Sequence, residues 1–189
     1  MGSRASPADT LPDLLRQGLR VVFVGINPSL YSVAQGHYFA RRSNRFWPCF
    51  SRSTLSAQAR HALCVDTLAP EHDQSLADHG FGFTDLCKRA TARAGDLAAN
   101  ELAEGVAALA AKLAQYNPTV ACFHGMTGYR HIQRALAPAS PDATLGLQPL
   151  HIGTTRCYVV PNPSGANAHF TPADQTLWYD RLAQEIREQ

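Results

Sequence analysis

The sequence predicts a single α/β domain built around a mostly parallel sheet. Short apolar runs rich in β-branched residues alternate along the chain with longer segments of helix-forming residues. These runs lack the polar–apolar alternation of half-exposed strands, and continuous apolar strands are typical of parallel sheets that are covered on both faces. A chain of 189 residues suits one such domain and leaves little room for a second.

The N-terminal elements lead to one long irregular segment. Residues 1–10 are small and polar, and we expect a disordered tail there, so that the domain spans residues 11–189. Residues 11–18 can form one or two helical turns, and residues 19–25 predict the first buried strand. Residues 26–44 show no convincing period, and a loop of this length inside a compact domain is usually functional.

Helices and strands then alternate to the end of the chain. Asn44 can cap a helix from Arg45 to about Thr54, and Thr171 with Pro172 marks the start of a terminal helix. The elements expected after the first helix are further helix within 56–79, an extended segment or turn at 80–86, a helix at 98–115, a strand at 119–124, a helix at 128–136, a Pro-rich surface loop at 137–148, two short strands within 151–160 and the terminal helix at 171–188.

Composition excludes several classes of protein. The five cysteines form no CxxC pair, which argues against a disulfide framework, a structural zinc site and an iron–sulfur cluster. We therefore expect no metal or other cofactor, and buried free thiols that fit a reducing compartment. No apolar run approaches the roughly 20 residues that a membrane helix needs, and the N-terminus lacks a signal-peptide core. We expect a cytoplasmic protein, and the net charge of +2 permits nucleic-acid binding without requiring it.

Two predicted strands end in the same way, with Asn followed by Pro. Asn27 follows the first strand, and Asn162 follows the last. Each N-P pair could be ordinary turn chemistry. Ligands of open α/β sheets bind at the carboxyl ends of the strands, however, and an Asn side chain offers both donors and an acceptor there. Two copies at strand ends therefore predict a site that holds a water and a planar, amide-like ligand.

The long loop carries an aromatic residue that can stack on a base. Phe39 is the candidate for this role, since stacking on a base contributes about 1–3 kcal/mol. We expect Phe46 and Trp47, a few residues further on, to belong to the hydrophobic core instead.

Several short motifs occur in a fixed order along the chain: GINPS at 25–29, GHYFA at 36–40, NRFW at 44–47, GFTDLCKRAT at 82–91 and PNPSG at 161–165. Each motif alone is weak, but their order and spacing are specific. Together they resemble the mismatch-specific uracil-DNA glycosylases, the group that includes the thymine-DNA glycosylases, and the similarity covers most of residues 19–184.

The resemblance implies a three-layer α/β/α sandwich with a short parallel sheet, no metal, and a pocket for a flipped-out base. It implies that Asn27 positions the attacking water, that the Ile26 backbone contacts the base and that Phe39 stacks on uracil. Asn162 would lie in the same pocket, and we also place Ser32 among the residues that bind the substrate.

The loop after the second Asn is implied to enter the DNA helix, and basic residues near the motifs are candidates for phosphate contacts. A single basic residue is by default only part of a solvated surface. The predicted DNA-binding residues are Ser164, Gly165, Ala166, Asn167, Arg45, Lys88 and Arg89.

The chain departs from the family pattern at three places. Ser29 stands where the family often has Gly. The loop at 166–169 is small and polar where a larger wedge residue is common. Asp85 occupies a position that is commonly Lys or Asn in the family. Asp85 could be a turn residue, or it could supply the carboxylate that an Asn-only site lacks, by activating water or favouring a cation at C1′.

The sequence therefore predicts a monofunctional glycosylase that removes uracil mismatched with guanine, and other damaged pyrimidines, from double-stranded DNA, acting as a monomer. The alternative to this function is that the chain is a noncatalytic protein of the same fold that binds base lesions. A nucleotide-binding enzyme of another kind would need a GxGxxG motif or a P-loop, and neither occurs.

Overall fold

A computed structural model of the chain describes residues 10–187. Of the tail expected at 1–10, residues 1–9 lie outside the described residues, as does the last residue predicted for the terminal helix, Glu188. Thr10 is described, and its hydroxyl donates to the Lys88 carbonyl. The sheet has the order β2-β1-β3-β5-β4, in which every neighbouring pair is parallel except β4 and β5, which are antiparallel. Its strands are β1 (Val21–Gly25), β2 (Phe81–Asp85), β3 (Val120–His124), β4 (Gly146–Ile152) and β5 (Thr155–Val160).

Helices connect the strands and cover both faces of the sheet. They are α1 (Leu30–Gln35), α2 (Phe46–Arg52), α3 (Ala57–Ala62), α4 (Ala99–Tyr116), α5 (Met126–Leu136) and α6 (Pro172–Arg187). Single 3₁₀ turns lie at Thr54–Ser56, Pro70–His72, Ser75–His79 and Ala94–Asp96. Among residues 10–187, every helix is too short or too polar to cross a bilayer.

The sheet has a separate hydrophobic core on each face, because successive strand residues point to opposite sides. In β1, Phe23 faces a cluster that includes Phe46 of α2 and Tyr179 of α6. Val22 faces the other cluster, which includes Leu109 of α4. This arrangement confirms the predicted three-layer α/β/α sandwich with a mostly parallel sheet.

The prediction of helical turns at residues 11–18 is wrong. Leu14 and Phe83 exchange two backbone hydrogen bonds, of 2.9 and 3.1 Å, so that this segment runs extended along the outer edge of β2. Leu14 packs against one core and Leu15 against the other, which is the alternation of a strand. The open edge of β2 decides the conformation here, since it offers the segment backbone partners that a helix would forgo.

The long loop also contains a helix that its sequence did not predict. In α1 only Ser32 is buried, so the segment has no apolar stripe to reveal it. Capping defines the helix instead, because the Ser29 hydroxyl accepts from the Ser32 amide and Gly36 ends the helix in the left-handed conformation with φ +74°. Between residues 56 and 79, where more helix was expected, the chain forms only α3 and 3₁₀ turns.

Candidate functional site

A pocket of about 330 Å³ opens at the carboxyl ends of β1, β2, β3 and β5. This is the edge of a parallel sheet at which ligands bind in open α/β folds. The strands bring together residues that are far apart in the chain. The lining residues are Leu11, Gly25, Ile26, Asn27, Pro28, Ser29, Ser32, Tyr38, Phe39, Arg41, Ser43, Asn44, Asp85, Thr91, Ala92, Ala94, His124, Asn162, Ser164 and Ala166.

Asp85 is a buried carboxylate in the wall of this pocket, with 3% of its surface exposed. It ends β2, directly opposite Gly25 at the end of β1. Its carboxylate lies against the Gly25 backbone, so closely that a methyl group on Gly25 would collide with Asp85 Oδ1. Glycine at the end of β1 is what allows the carboxylate to occupy this position.

The ionisation of Asp85 is shifted towards neutral pH. Burial raises the pKa of its carboxyl to about 7, because the charged form loses hydration, and the nearby Lys88 ammonium opposes part of that rise. Asp85 Oδ2 has no hydrogen-bond partner. A buried carboxylate with a spare oxygen and a pKa near 7 is suited to take a proton from water or to stabilise a cation.

The Asn27 side chain is fixed in one orientation. Its Nδ2 donates to the Arg89 carbonyl at 2.9 Å and to the Thr91 hydroxyl at 2.7 Å. The Thr91 hydroxyl donates in turn to the Arg93 carbonyl at 2.7 Å. Because both amide protons are used, Asn27 Oδ1 is the atom of this side chain left to accept a hydrogen bond from a water or ligand.

Phe39 forms an aromatic wall of the pocket. Its ring stacks on Phe46 with centroids 4.5 Å apart, and it meets the ring of the buried His124 edge to face at 5.0 Å. Phe39 has a φ of +53°, a left-handed conformation that is rare for a residue with a large side chain. Strained conformations of this kind persist where the surrounding structure holds them, often at binding sites.

His124 is uncharged at neutral pH. Burial lowers the pKa of its imidazole to about 3, because the charged form would lose hydration there. Its Nε2 lies 3.0 Å from the Tyr179 hydroxyl of α6. This residue therefore supports the Phe39 ring as a neutral packing partner.

The loop after β5 forms the opposite rim. Asn162 Oδ1 accepts from the Ser164 amide at 2.9 Å, and Asn167 Nδ2 donates to the Asn162 carbonyl at 2.9 Å. Gly165 packs on the loop before α2, where a Cβ would lie 2.5 Å from the Ser43 carbonyl oxygen. Ser164 and Ala166 line the pocket.

The three basic residues predicted to bind DNA already have protein partners. Arg45 donates to the Asn167 and Phe170 carbonyls at 3.1 and 2.6 Å, and so ties the two rim loops together. Arg89 pairs with Glu101 at 2.6 Å. Lys88 pairs with Asp13 at 2.8 Å. Their predicted DNA contacts stay predictions, but each has a structural role within the chain.

The remaining predicted site residues also reach the pocket. Ile26 lines it, and it also lines an adjoining cavity of about 440 Å³ in front of α5. Ser32 is buried in the wall, where its hydroxyl accepts from the Ala40 amide at 3.3 Å. Asp85, Asn27, Phe39 and Asn162 thus lie around one cavity, the first, second and fourth at strand ends and Phe39 in the long loop.

Three further residues of the site were not predicted from the sequence: Gly25, Thr91 and His124. Thr91 lies within the quoted GFTDLCKRAT motif, but its contact with Asn27 joins residues 64 positions apart. His124 ends a predicted strand, and that position was the one available signal for it.

Across residues 10–187, no three His, Cys, Asp or Glu side chains cluster closely enough to hold a metal ion.

A family model and a solved structure both resemble this chain. The model of the Uracil DNA glycosylase superfamily matches residues 12–183. Among solved structures, the solution NMR structure of a candidate uracil DNA glycosylase from Methanosarcina acetivorans aligns with a TM-score of 0.56 and 19% identity, covering 92% of this chain and 97% of that one. At this level of identity the structural match supports the fold.

Proposed function

Because the chain belongs to the uracil DNA glycosylase superfamily, we propose that it is a monofunctional DNA repair enzyme that excises uracil mismatched with guanine. It hydrolyses the bond between uracil N1 and C1′ of deoxyribose and leaves an abasic site. The observation that carries this proposal is that the Asp85 carboxylate, the fixed Asn27 amide and the Phe39 ring line one pocket. Other damaged pyrimidines are candidate substrates of the same pocket.

The proposed reaction passes through an oxocarbenium-like transition state, with negative charge leaving on the base. Asn27 Oδ1 accepts a hydrogen bond from the attacking water and so positions it. The charged form of Asp85 favours the sugar cation or takes a proton from that water. Hydrogen-bond donors aimed at the uracil oxygens would stabilise the leaving anion, as in an oxyanion hole.

The need to extrude the base selects for a mispaired base, even if the protein does not recognise the surrounding DNA sequence. Unstacking a base costs a few kcal/mol, and least when the base is mispaired. The Phe39 ring offsets part of this cost, since it provides a stacking surface that is already held by Phe46. The small loop at Ser164–Asn167 then lies against the DNA, and exposed basic residues at the mouth, such as Arg41, contact phosphates.

Uracil release from a G·U duplex oligonucleotide is the experiment that tests this proposal. We expect free uracil and an abasic site, with no added metal and in the presence of EDTA. The same duplex with a G·C pair is the control and should stay intact. Tight binding of the G·U duplex without release of uracil would favour the alternative, a noncatalytic lesion-binding protein.

Phe39→Ala is expected to slow single-turnover release of uracil by about tenfold to a hundredfold, since one stacked base is worth about 1–3 kcal/mol. Phe39→Tyr keeps the ring and should retain a rate close to that of the parent. Affinity for a duplex that carries an abasic site, which has no base to stack, should change little in both variants. Release by Phe39→Ala at the parent rate would mean that the ring belongs only to the core.

A further inference from the structure

Lys88 lies beside Asp85 without forming a hydrogen bond to it. Its Nζ is 3.9 Å from Asp85 Oδ2, close enough for strong attraction between charges but beyond hydrogen-bond distance. Asp85 Oδ2 consequently keeps its lone pairs unused. A cation in this place can favour the charged carboxylate and still leave its oxygen available as a proton acceptor.

Other contacts hold Lys88 in this position. Its Nζ donates to Asp13 Oδ1 at 2.8 Å and to the Tyr38 hydroxyl at 3.1 Å. The Thr10 hydroxyl donates to the Lys88 carbonyl. Only 30% of the side chain is exposed. An ammonium that is fixed and partly buried in this way is poorly placed to follow a phosphate on the DNA backbone.

The charged groups that act on Asp85 come from three segments. Lys88 follows β2, Asp13 belongs to the extended N-terminal segment, and Lys112 lies on α4, where it pairs with Asp13 at 2.5 Å. The Lys88 and Lys112 charges favour the ionised carboxyl, and the Asp13 charge opposes it. The Tyr38 hydroxyl accepts from Lys88 Nζ, and burial raises the pKa of this tyrosine far above its usual range, so that it is neutral. Among these charges Lys88 has the largest effect on Asp85.

We infer that Lys88 is a positioning residue for the proposed reaction, which acts through Asp85 by favouring the charged form of its carboxyl while one carboxyl oxygen stays unpaired. The role of Lys88 in the reaction rests on the proposed function of the pocket. Lys88 thus has an electrostatic role in place of the phosphate contact that the sequence predicts.

Direct titration of Asp85 tests the inference without relying on activity. The ¹³C resonance of the Asp85 side-chain carboxyl, assigned by its loss in Asp85→Asn, is followed against pH by NMR in the full chain. Lys88→Met should raise the titration midpoint by about one unit, as expected for loss of a cation at this distance. Lys88→Arg, which keeps the charge, should bring the midpoint back to within a few tenths of a unit of the parent.

Lys88→Gln separates charge from packing. The Gln side chain retains an N–H donor for Asp13 and Tyr38 but lacks the charge. We therefore expect it to raise the Asp85 titration midpoint as Lys88→Met does. Lys88→Gln replaces Lys88→Met in the experiment if Met at this position prevents folding. Asp13 keeps the Lys112 and Thr84 partners in each variant. The pH dependence of uracil release should shift by the same amount as the NMR midpoint.

An unchanged Asp85 midpoint in both Lys88→Met and Lys88→Gln would overturn the inference. Weaker DNA binding with a salt dependence reduced by about one charge, at an unchanged midpoint, would instead assign Lys88 to a phosphate. A parent protein that releases no uracil would refute the proposed function. The NMR titration would still decide whether Lys88 controls the ionisation of Asp85.

Discussion

Asp85→Asn is expected to lower the single-turnover rate of uracil release by about 10²- to 10⁴-fold, which is the rate enhancement that a positioned general acid or base usually contributes. The amide has nearly the same shape as the carboxylate, so it fits the space beside Gly25 without moving the backbone. It cannot take a proton or stabilise a cation by charge. The rate is measured on a G·U duplex with enzyme in excess, which isolates the chemical step.

Affinity for DNA provides the control for this variant. Asp85 is buried at the end of β2, so Asp85→Asn should bind the G·U duplex nearly as tightly as the parent. Asn27→Ala should leave measurable activity, because Asp85 still acts on the sugar and the water. If Asp85→Asn keeps the parent rate while Asn27→Ala abolishes release, Asp85 is a turn residue and Asn27 acts alone.

Gly25→Ala should impair uracil release by about 10²-fold, although it adds only one methyl group. That methyl would collide with Asp85 Oδ1, so the carboxylate must move away from its place in the pocket. Displacement of a reacting group by about 1 Å can cost 10²-fold in rate. The rate is measured in the same single-turnover assay.

Gly95→Ala is the matched control, since a methyl there meets nothing within 4 Å. It should leave the rate near that of the parent. The double variant Gly25→Ala with Asp85→Asn tests the mechanism of the effect, because residues in contact give non-additive changes. We expect it to be only slightly slower than Asp85→Asn. Fully additive losses would mean that Gly25→Ala acts through something other than Asp85.

Four of the five strands could be predicted because they are buried on both faces. In β4 buried and exposed residues alternate, and the sequence assigned its first residues, 146–148, to a surface loop. Runs such as the one that becomes β1 are apolar and β-branched, and little else in a soluble chain has that composition. The elements that were missed depend on other information. The segment at 11–18 is extended because β2 offers it an open edge, and α1 depends on two caps rather than on an apolar stripe.

The candidate site, like the fold, could be predicted from the sequence only in part. Asn27, Phe39 and Asp85 could be named from motifs and strand ends, and the topology brings them to one pocket. Lys88 was named only as a DNA-binding candidate, and most of the contacts that hold it and Asn27 in place join residues far apart in the chain. Lys88 meets Asp13 across 75 positions, and no local pattern signals an ion pair at that separation. Motifs and strand ends can thus identify residues that line a pocket more readily than the residues that surround and orient them.

The pH dependence of single-turnover uracil release by the unaltered protein tests the central claim most directly. In the proposed reaction the charged form of Asp85 is the active one, and burial raises the pKa of this carboxyl to about 7. The rate on a G·U duplex should therefore rise about tenfold per pH unit below 7 and level off above it. A rate that stays constant between pH 5 and pH 9, or the absence of free uracil at every pH, would contradict the account.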